Sequence, residues 1–187
     1  MLKTSVTHPL RVDAVAAPGG GVIGLTFCPG MEGDSRDGGA WVRDLAIDIQ
    51  AIAAWAPDAV VTLMETDELA RYGVAALPSA MTAAIPLWRH LPIVDLRAPG
   101  PEFERRWKED GPRLRAILRC GGRVLVHCRG GIGRTGTVAA RLLVELGEMP
   151  EAAIDQVRAA RDPRCVETSG QAAHVLGCRF VAEEGAA

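Results

Sequence analysis

Apolar positions fall into short continuous runs separated by stretches of helical period. Residues 22–27, 59–64 and 123–127 are compact apolar runs, the pattern of strands buried on both faces of a parallel sheet. Residues 87–94 predict a further strand that leads into a loop at Asp95. Residues 42–55 place Leu45, Ile49, Ile52 and Ala53 on one helical face, and Pro57-Asp58 ends that helix. Two short helices are expected at 67–72 and 79–85. Residues 102–118 read as a charged amphipathic helix with Phe103, Trp107, Leu114 and Leu118 as its buried stripe. Residues 135–146 predict a helix, and 150–160 another, opened by Pro150 at its favoured first turn. A last helix is expected over 168–183, with Thr168 as its N-cap. Residues 30–39 read as a loop. Residues 1–20 read as a loose lead-in with a short strand at 11–16, and 184–187 as a frayed tail. Strands alternating with helices imply one α/β domain over 21–183, with a central, mostly parallel sheet flanked by helices.

Composition narrows the function class. A chain of 187 residues with 48% hydrophobic content and a net charge of −2 suits one domain with a full core. That charge is too balanced for non-specific nucleic-acid binding. No apolar stretch approaches membrane-spanning length, and residues 1–10 have no signal-peptide core. These features predict neither nucleic-acid nor membrane partners, and a thiol that must stay reduced argues for the cytoplasm. The five cysteines, Cys28, Cys120, Cys128, Cys165 and Cys178, lack metal-ligand spacing. The plain reading of Cys28, Cys120, Cys165 and Cys178 is small apolar filler, with the trapping of oxidised Cys128 by one of them as a sharper alternative.

The run from His127 to Gly136 carries the chemistry: His-Cys-Arg-Gly-Gly-Ile-Gly-Arg-Thr-Gly. Strand, tight loop and helix start meet at one thiol. Gly130, Gly131 and Gly133 let the backbone adopt positive φ and turn N–H groups inward as a nest for an oxyanion. The helix N-terminus behind them adds partial positive charge. Arg134 supplies a planar fork able to grip two phosphate oxygens. The same field favours thiolate at Cys128, a nucleophile aimed at phosphorus.

On these residues the chain resembles the cysteine-dependent protein tyrosine and dual-specificity phosphatase superfamily, whose signature is His-Cys, five residues, then Arg and Ser or Thr. Low-molecular-weight tyrosine phosphatases and arsenate reductases share a similar loop, but their cysteine lies near the N-terminus. Here it lies two-thirds along the chain, with an acid upstream. Pro92-Ile93-Val94-Asp95, followed by Ala98-Pro99, resembles the superfamily's general-acid loop. Residues 41–45, 60–65 and 68–69, and the Val-Glu-Thr-x-x-Gln stretch ending at Gln171, resemble the kinase-associated phosphatase group. The resemblance implies a protein tyrosine phosphatase-like fold and a metal-independent phosphomonoester hydrolase with no cofactor. It also implies a phosphocysteine intermediate and a phosphoprotein or phosphopeptide substrate.

In that reading Cys128 attacks, Arg134 and the loop amides bind oxygens, and Asp95 protonates the leaving group. Asp67, Glu65 and Asp110 are reserve acids. Glu65 leaves a strand's C-terminal end and could orient Arg134 or the acid loop. His127 tunes the loop by hydrogen-bonding its backbone. Thr135 either donates its hydroxyl to the Cys128 sulfur or caps the helix. Gln171 either positions the hydrolytic water or faces solvent. Arg129 and Ile132 should point outward and line the mouth. Phosphoinositide phosphatases of the superfamily place lysines in this loop, which has none here, and its tyrosine-specific enzymes carry a tyrosine-bearing loop. With the single tyrosine, Tyr72, in a helical stretch, the resemblance implies a shallow pocket accepting several phosphoresidues. Two rivals stay open: a phosphatase of an inositol phosphate, nucleotide or RNA 5′ end, and a phosphate-binding module with little turnover.

Overall fold

The computed structural model describes residues 2–34 and 38–182. The expected tail at 184–187 and the last residue of the expected C-terminal helix lie outside the described residues. Two sheets are present. The larger has five strands in the order β2-β3-β8-β6-β7, and the smaller has three in the order β1-β5-β4. In the large sheet β2 (Asp13–Ala16) runs antiparallel to β3 (Val22–Thr26). Every other pair is parallel: β3 with β8 (Arg123–His127), β8 with β6 (Ala59–Thr62), and β6 with β7 (Leu87–His90).

The parallel strands read as unbroken apolar runs because both faces are covered. On β8, Val124 and Val126 join one core cluster while Leu125 joins the other. Ala59 and Val61 on β6 likewise face away from Val60. One face carries α4 (Pro101–Arg119), α5 (Gly133–Glu145), α6 (Pro150–Ala160) and α7 (Ser169–Gly177). The other carries α1 (Leu45–Ala54), α2 (Thr66–Arg71) and α3 (Leu77–Ala84). Phe103, Trp107, Leu114 and Leu118 are buried on α4, as their spacing predicts. All thirteen residues of α5 are buried. The helix behind the cysteine loop is therefore the centre of the packing.

Three expectations need correction. The segment 1–20 is not a loose lead-in. Its β1 (Leu2–Lys3) pairs with β5 (Ala40–Val42), and the short strand expected at 11–16 is β2, the edge of the large sheet. Within the expected loop at 30–39 lies β4 (Glu32–Asp34), which pairs antiparallel with β5. Strands of two or three residues are too short to show a period, so only their partners reveal them. The last helix ends at Gly177. Cys178 turns to extended backbone, and Val181 then bonds the Glu145 carbonyl through its N–H at 3.0 Å.

Candidate active site

The site forms where β8 ends between its two parallel neighbours. Such carboxyl ends are where open α/β sheets gather their ligands. The chain leaves His127, turns through residues 128–132 and enters α5 at Gly133, so Cys128 lies at the helix N-terminus. The loop is gripped from outside. Cys28 N donates to the Arg129 carbonyl at 3.1 Å, and Arg161 Nε donates to the Gly131 carbonyl at 3.2 Å. Arg161 is anchored in turn by Asp13 at 2.7 Å. Both bonds engage loop carbonyls and not loop amides.

Of the three glycines, only Gly131 takes positive φ, at 67°. A Cβ there would also fall 2.4 Å from the Thr26 carbonyl oxygen, so no larger residue fits. Gly130 and Gly133 do not share that conformation. Gly133 already belongs to α5, and what it permits is close approach: a Cβ there would lie 2.8 Å from Glu167 Oε2.

Arg134 is 2% exposed and nearly saturated on one side. Its Nη1 donates to Glu68 Oε2 at 2.6 Å and to the Ile93 carbonyl at 2.9 Å, and its Nη2 donates to Glu68 Oε1 at 3.0 Å. Nη2 also lies 2.9 Å from Asp95 Oδ1. Burial opposes its charge, but the Glu68 hydrogen bond and the charges of Cys128, Glu68 and Asp95 outweigh it and raise its pKa. Nε is buried with no hydrogen-bond partner. An unmade bond of this kind costs about 1–3 kcal/mol, which an anion taken on the Nε–Nη2 edge would recover.

Sequence reasoning gave the orienting role to Glu65. The fold gives it to Glu68, one helical turn further on. Glu65 precedes α2, and its N–H donates to Glu68 Oε2 at 3.0 Å. Glu65 and Asp67 line a different cavity beside Pro92. The available signal was a glutamate three residues into a helix that begins at a strand's carboxyl end. Asp110 is also elsewhere, paired with Arg89 at 2.6 Å.

Asp95 lies on the loop after β7, and its side chain is half exposed. It lines the same cavity as Cys128 and Arg134, a space of about 210 Å³. Gln171 lines this cavity too, and it is buried rather than solvent-facing. Its Oε1 accepts from Glu167 N at 2.9 Å, and its Nε2 donates to the Arg97 carbonyl at 3.2 Å, tying α7 to the Asp95 loop. Arg129 and Ile132 both line the cavity. Ile132 is buried in the core cluster instead of pointing outward, and Arg129 lies over the Tyr72 ring at 4.6 Å.

Thr135 does not cap α5, whose N-cap is Ile132, and its buried hydroxyl has no hydrogen-bond partner. His127 bonds the loop backbone at Cys128, as expected. Its Nε2 lies 2.7 Å from Thr62 Oγ1, which accepts from Trp88 Nε1 at 2.9 Å. Burial drives the His127 pKa down to about 3, so the ring is neutral. The cysteines are all free. Burial raises the Cys28 thiol strongly, helped by the charge of nearby Cys128, and pushes Cys165 up to about 11.

Comparisons with known proteins find relatives of this chain and of its fold. The family model described as "Polymorphic toxin system, DSP-PTPase phosphatase" matches residues 42–148, which take in Glu68, Asp95 and the cysteine loop. The rat protein Cyclin-dependent kinase inhibitor 3 is 29% identical over 152 residues, spanning 80% of this chain and 68% of that one. The crystal structure of kinase associated phosphatase, carrying serine at its catalytic-site cysteine, matches with a TM-score of 0.76 and 24% identity. It covers 89% of this chain and 92% of that one. Tk-PTP in its active form matches at 0.57 with 27% identity, over 82% of this chain and 88% of that one. Among the described residues no helix is long and apolar enough to cross a membrane.

Proposed function

This chain belongs to the DSP-PTPase phosphatases of polymorphic toxin systems, cysteine-dependent enzymes, and from that premise we propose that it hydrolyses phosphomonoesters on proteins through a phosphocysteine intermediate, without a metal. The Cys128 thiolate attacks phosphorus in line, and an S–P bond forms as the bond to the leaving oxygen breaks. The loop amides and the Nε–Nη2 edge of Arg134 hold the equatorial oxygens, where charge develops. Asp95 gives its proton to the leaving oxygen and then takes one from water. That water attacks phosphorus, the S–P bond breaks, and phosphate leaves with the thiolate restored. Thr135 donates its hydroxyl to the departing sulfur, and Gln171 holds the attacking water.

One observation carries this reading. A cysteine at a helix N-terminus, an arginine with an unpaired buried Nε and a half-exposed aspartate line a single small cavity. The names of the relatives, a kinase inhibitor and a kinase-associated phosphatase, suggest a phosphorylated kinase as one target class.

Turnover of p-nitrophenyl phosphate in excess EDTA tests the mechanism. We expect full activity under chelation and a loss of about 10⁴-fold or more in Cys128→Ser. Dependence on added metal, or a serine variant that still turns over, would reject it. Tight phosphopeptide binding without phosphate release would instead favour the phosphate-binding alternative.

A further inference from the structure

The catalytic cavity has an aromatic wall that the sequence does not announce. Phe27, Met31 and Trp41 line it together with Cys128 and Arg134. Phe27 follows β3 directly, and because Thr26 pairs with His127 in register, Phe27 stands beside Cys128 on the neighbouring strand. Trp41 arrives from β5 of the small sheet, and its ring lies 5.5 Å from that of Phe27 at 31°.

The pair is held in place by buried charge. Arg43 lies over the Phe27 ring at 4.8 Å and the Trp41 ring at 5.2 Å. Arg43 is itself locked to Asp48 by bonds of 2.7 and 2.8 Å, with both side chains fully buried. Asp48 also accepts from Gly30 N at 2.8 Å, and His8 meets the Trp41 ring edge-on at 5.9 Å. Both rings remain partly exposed, while Cys128 below them is 3% exposed. A group that enters this cavity can therefore lie against the rings.

We propose that the Phe27–Trp41 wall selects phosphotyrosine over phosphoserine and phosphothreonine at this site, a reading that rests on the hydrolase function above. A phenyl ring joined to phosphorus would lie against the wall and gain an aromatic contact beyond its area burial. The short aliphatic arm of phosphothreonine leaves the wall uncovered and must bring its own main chain down to a recessed sulfur. The wall thus replaces the shallow, permissive pocket that a single tyrosine predicts. Its location explains why the sequence pattern missed it: β5 adjoins the segment that reads as a loop.

The test uses one peptide sequence carrying phosphotyrosine or phosphothreonine, with p-nitrophenyl phosphate as a third substrate. Wild-type protein should favour the phosphotyrosine peptide at least tenfold in kcat/KM. Trp41→Ala should collapse that ratio, mainly through a higher KM for the phosphotyrosine peptide, and Trp41→Phe should restore it. Thermal melting of both variants separates lost selectivity from lost folding, and the phenylalanine variant keeps a ring where alanine leaves a gap. Equal use of the two peptides alongside turnover of p-nitrophenyl phosphate would overturn the selectivity and leave the hydrolase standing. So would an equal proportional loss on both peptides in a folded Trp41→Ala. No turnover of any of the three would bring down the hydrolase and the selectivity together.

Discussion

Arg134 holds two carboxylates that live in different surroundings. Glu68 comes from the first turn of α2, its side chain is 8% exposed, and both of its oxygens engage the guanidinium. Asp95 comes from a loop, its side chain is 50% exposed, and a single oxygen reaches Nη2. A buried two-point pair fixes orientation, and breaking it strands a charge. An exposed one-point pair is screened and cheap to exchange, so Asp95 is free to trade the guanidinium for a substrate oxygen. In the proposed mechanism, position and chemistry are thus divided between the two acids that share one base.

The largest effect expected concerns the shared base. Arg134→Lys keeps the charge but loses the fork, so both carboxylates lose their geometry at once. Turnover of p-nitrophenyl phosphate should fall by about 10³-fold, and a loss under tenfold would mean that bidentate binding is unimportant.

Next come the two acids, whose variants should show opposite patterns. Asp95→Asn should cost about 10²-fold on alkyl phosphates and far less on aryl phosphates with good leaving groups. Its unfolding free energy should change by less than about 0.5 kcal/mol, because the pair is half exposed. An equal loss on both substrate types would reject Asp95 as the acid. Glu68→Gln should reverse the pattern, lowering stability by about 3 kcal/mol in urea unfolding while turnover drops more modestly. A variant as stable as wild type would show that Glu68 is not what fixes Arg134.

The smallest effect belongs to the rigid side alone. His127 titrates near 6.5 when unfolded but only at about 3 when folded, because it is buried. Between those values the unfolded chain binds the extra proton, so stability is complete above pH 6.5 and declines as the pH falls toward 3. By pH 5 the loss should reach about 2 kcal/mol, and urea unfolding of His127→Asn at pH 7 and pH 5 should lack that component. An unchanged slope in the variant would place the acid sensitivity elsewhere.

Much of this division was legible beforehand, and the exceptions are instructive. The strand predicted at 123–127 is β8 as built, and the helix after it was placed to within two residues at its start. Cys128, Arg134 and Asp95 do meet in one cavity. Sequence reasoning names Glu65 and leaves Glu68 out; both follow the same strand, and nothing in a linear order says which one points at the loop. The phase of α2 settles it. Gln171 was equally readable as exposed, since a lone polar residue on a short helix has no face until its neighbours are known. Phe27 and Trp41 carried no visible link to the site because one follows a strand of the large sheet and the other lies in the small sheet.

Chemistry written in consecutive residues was readable without coordinates: the thiol, the glycine loop, the fork two residues into a helix and the apolar strand that carries them. Covalent geometry keeps such groups within a few ångströms whatever the rest of the chain does. The partner of Arg134 stands 66 positions away in the chain, and the aromatic wall joins a residue just past β3 to one on β5 of the other sheet. Meetings of that kind depend on side-chain packing across layers, where helix phase and sheet register set the distances and no local pattern records them.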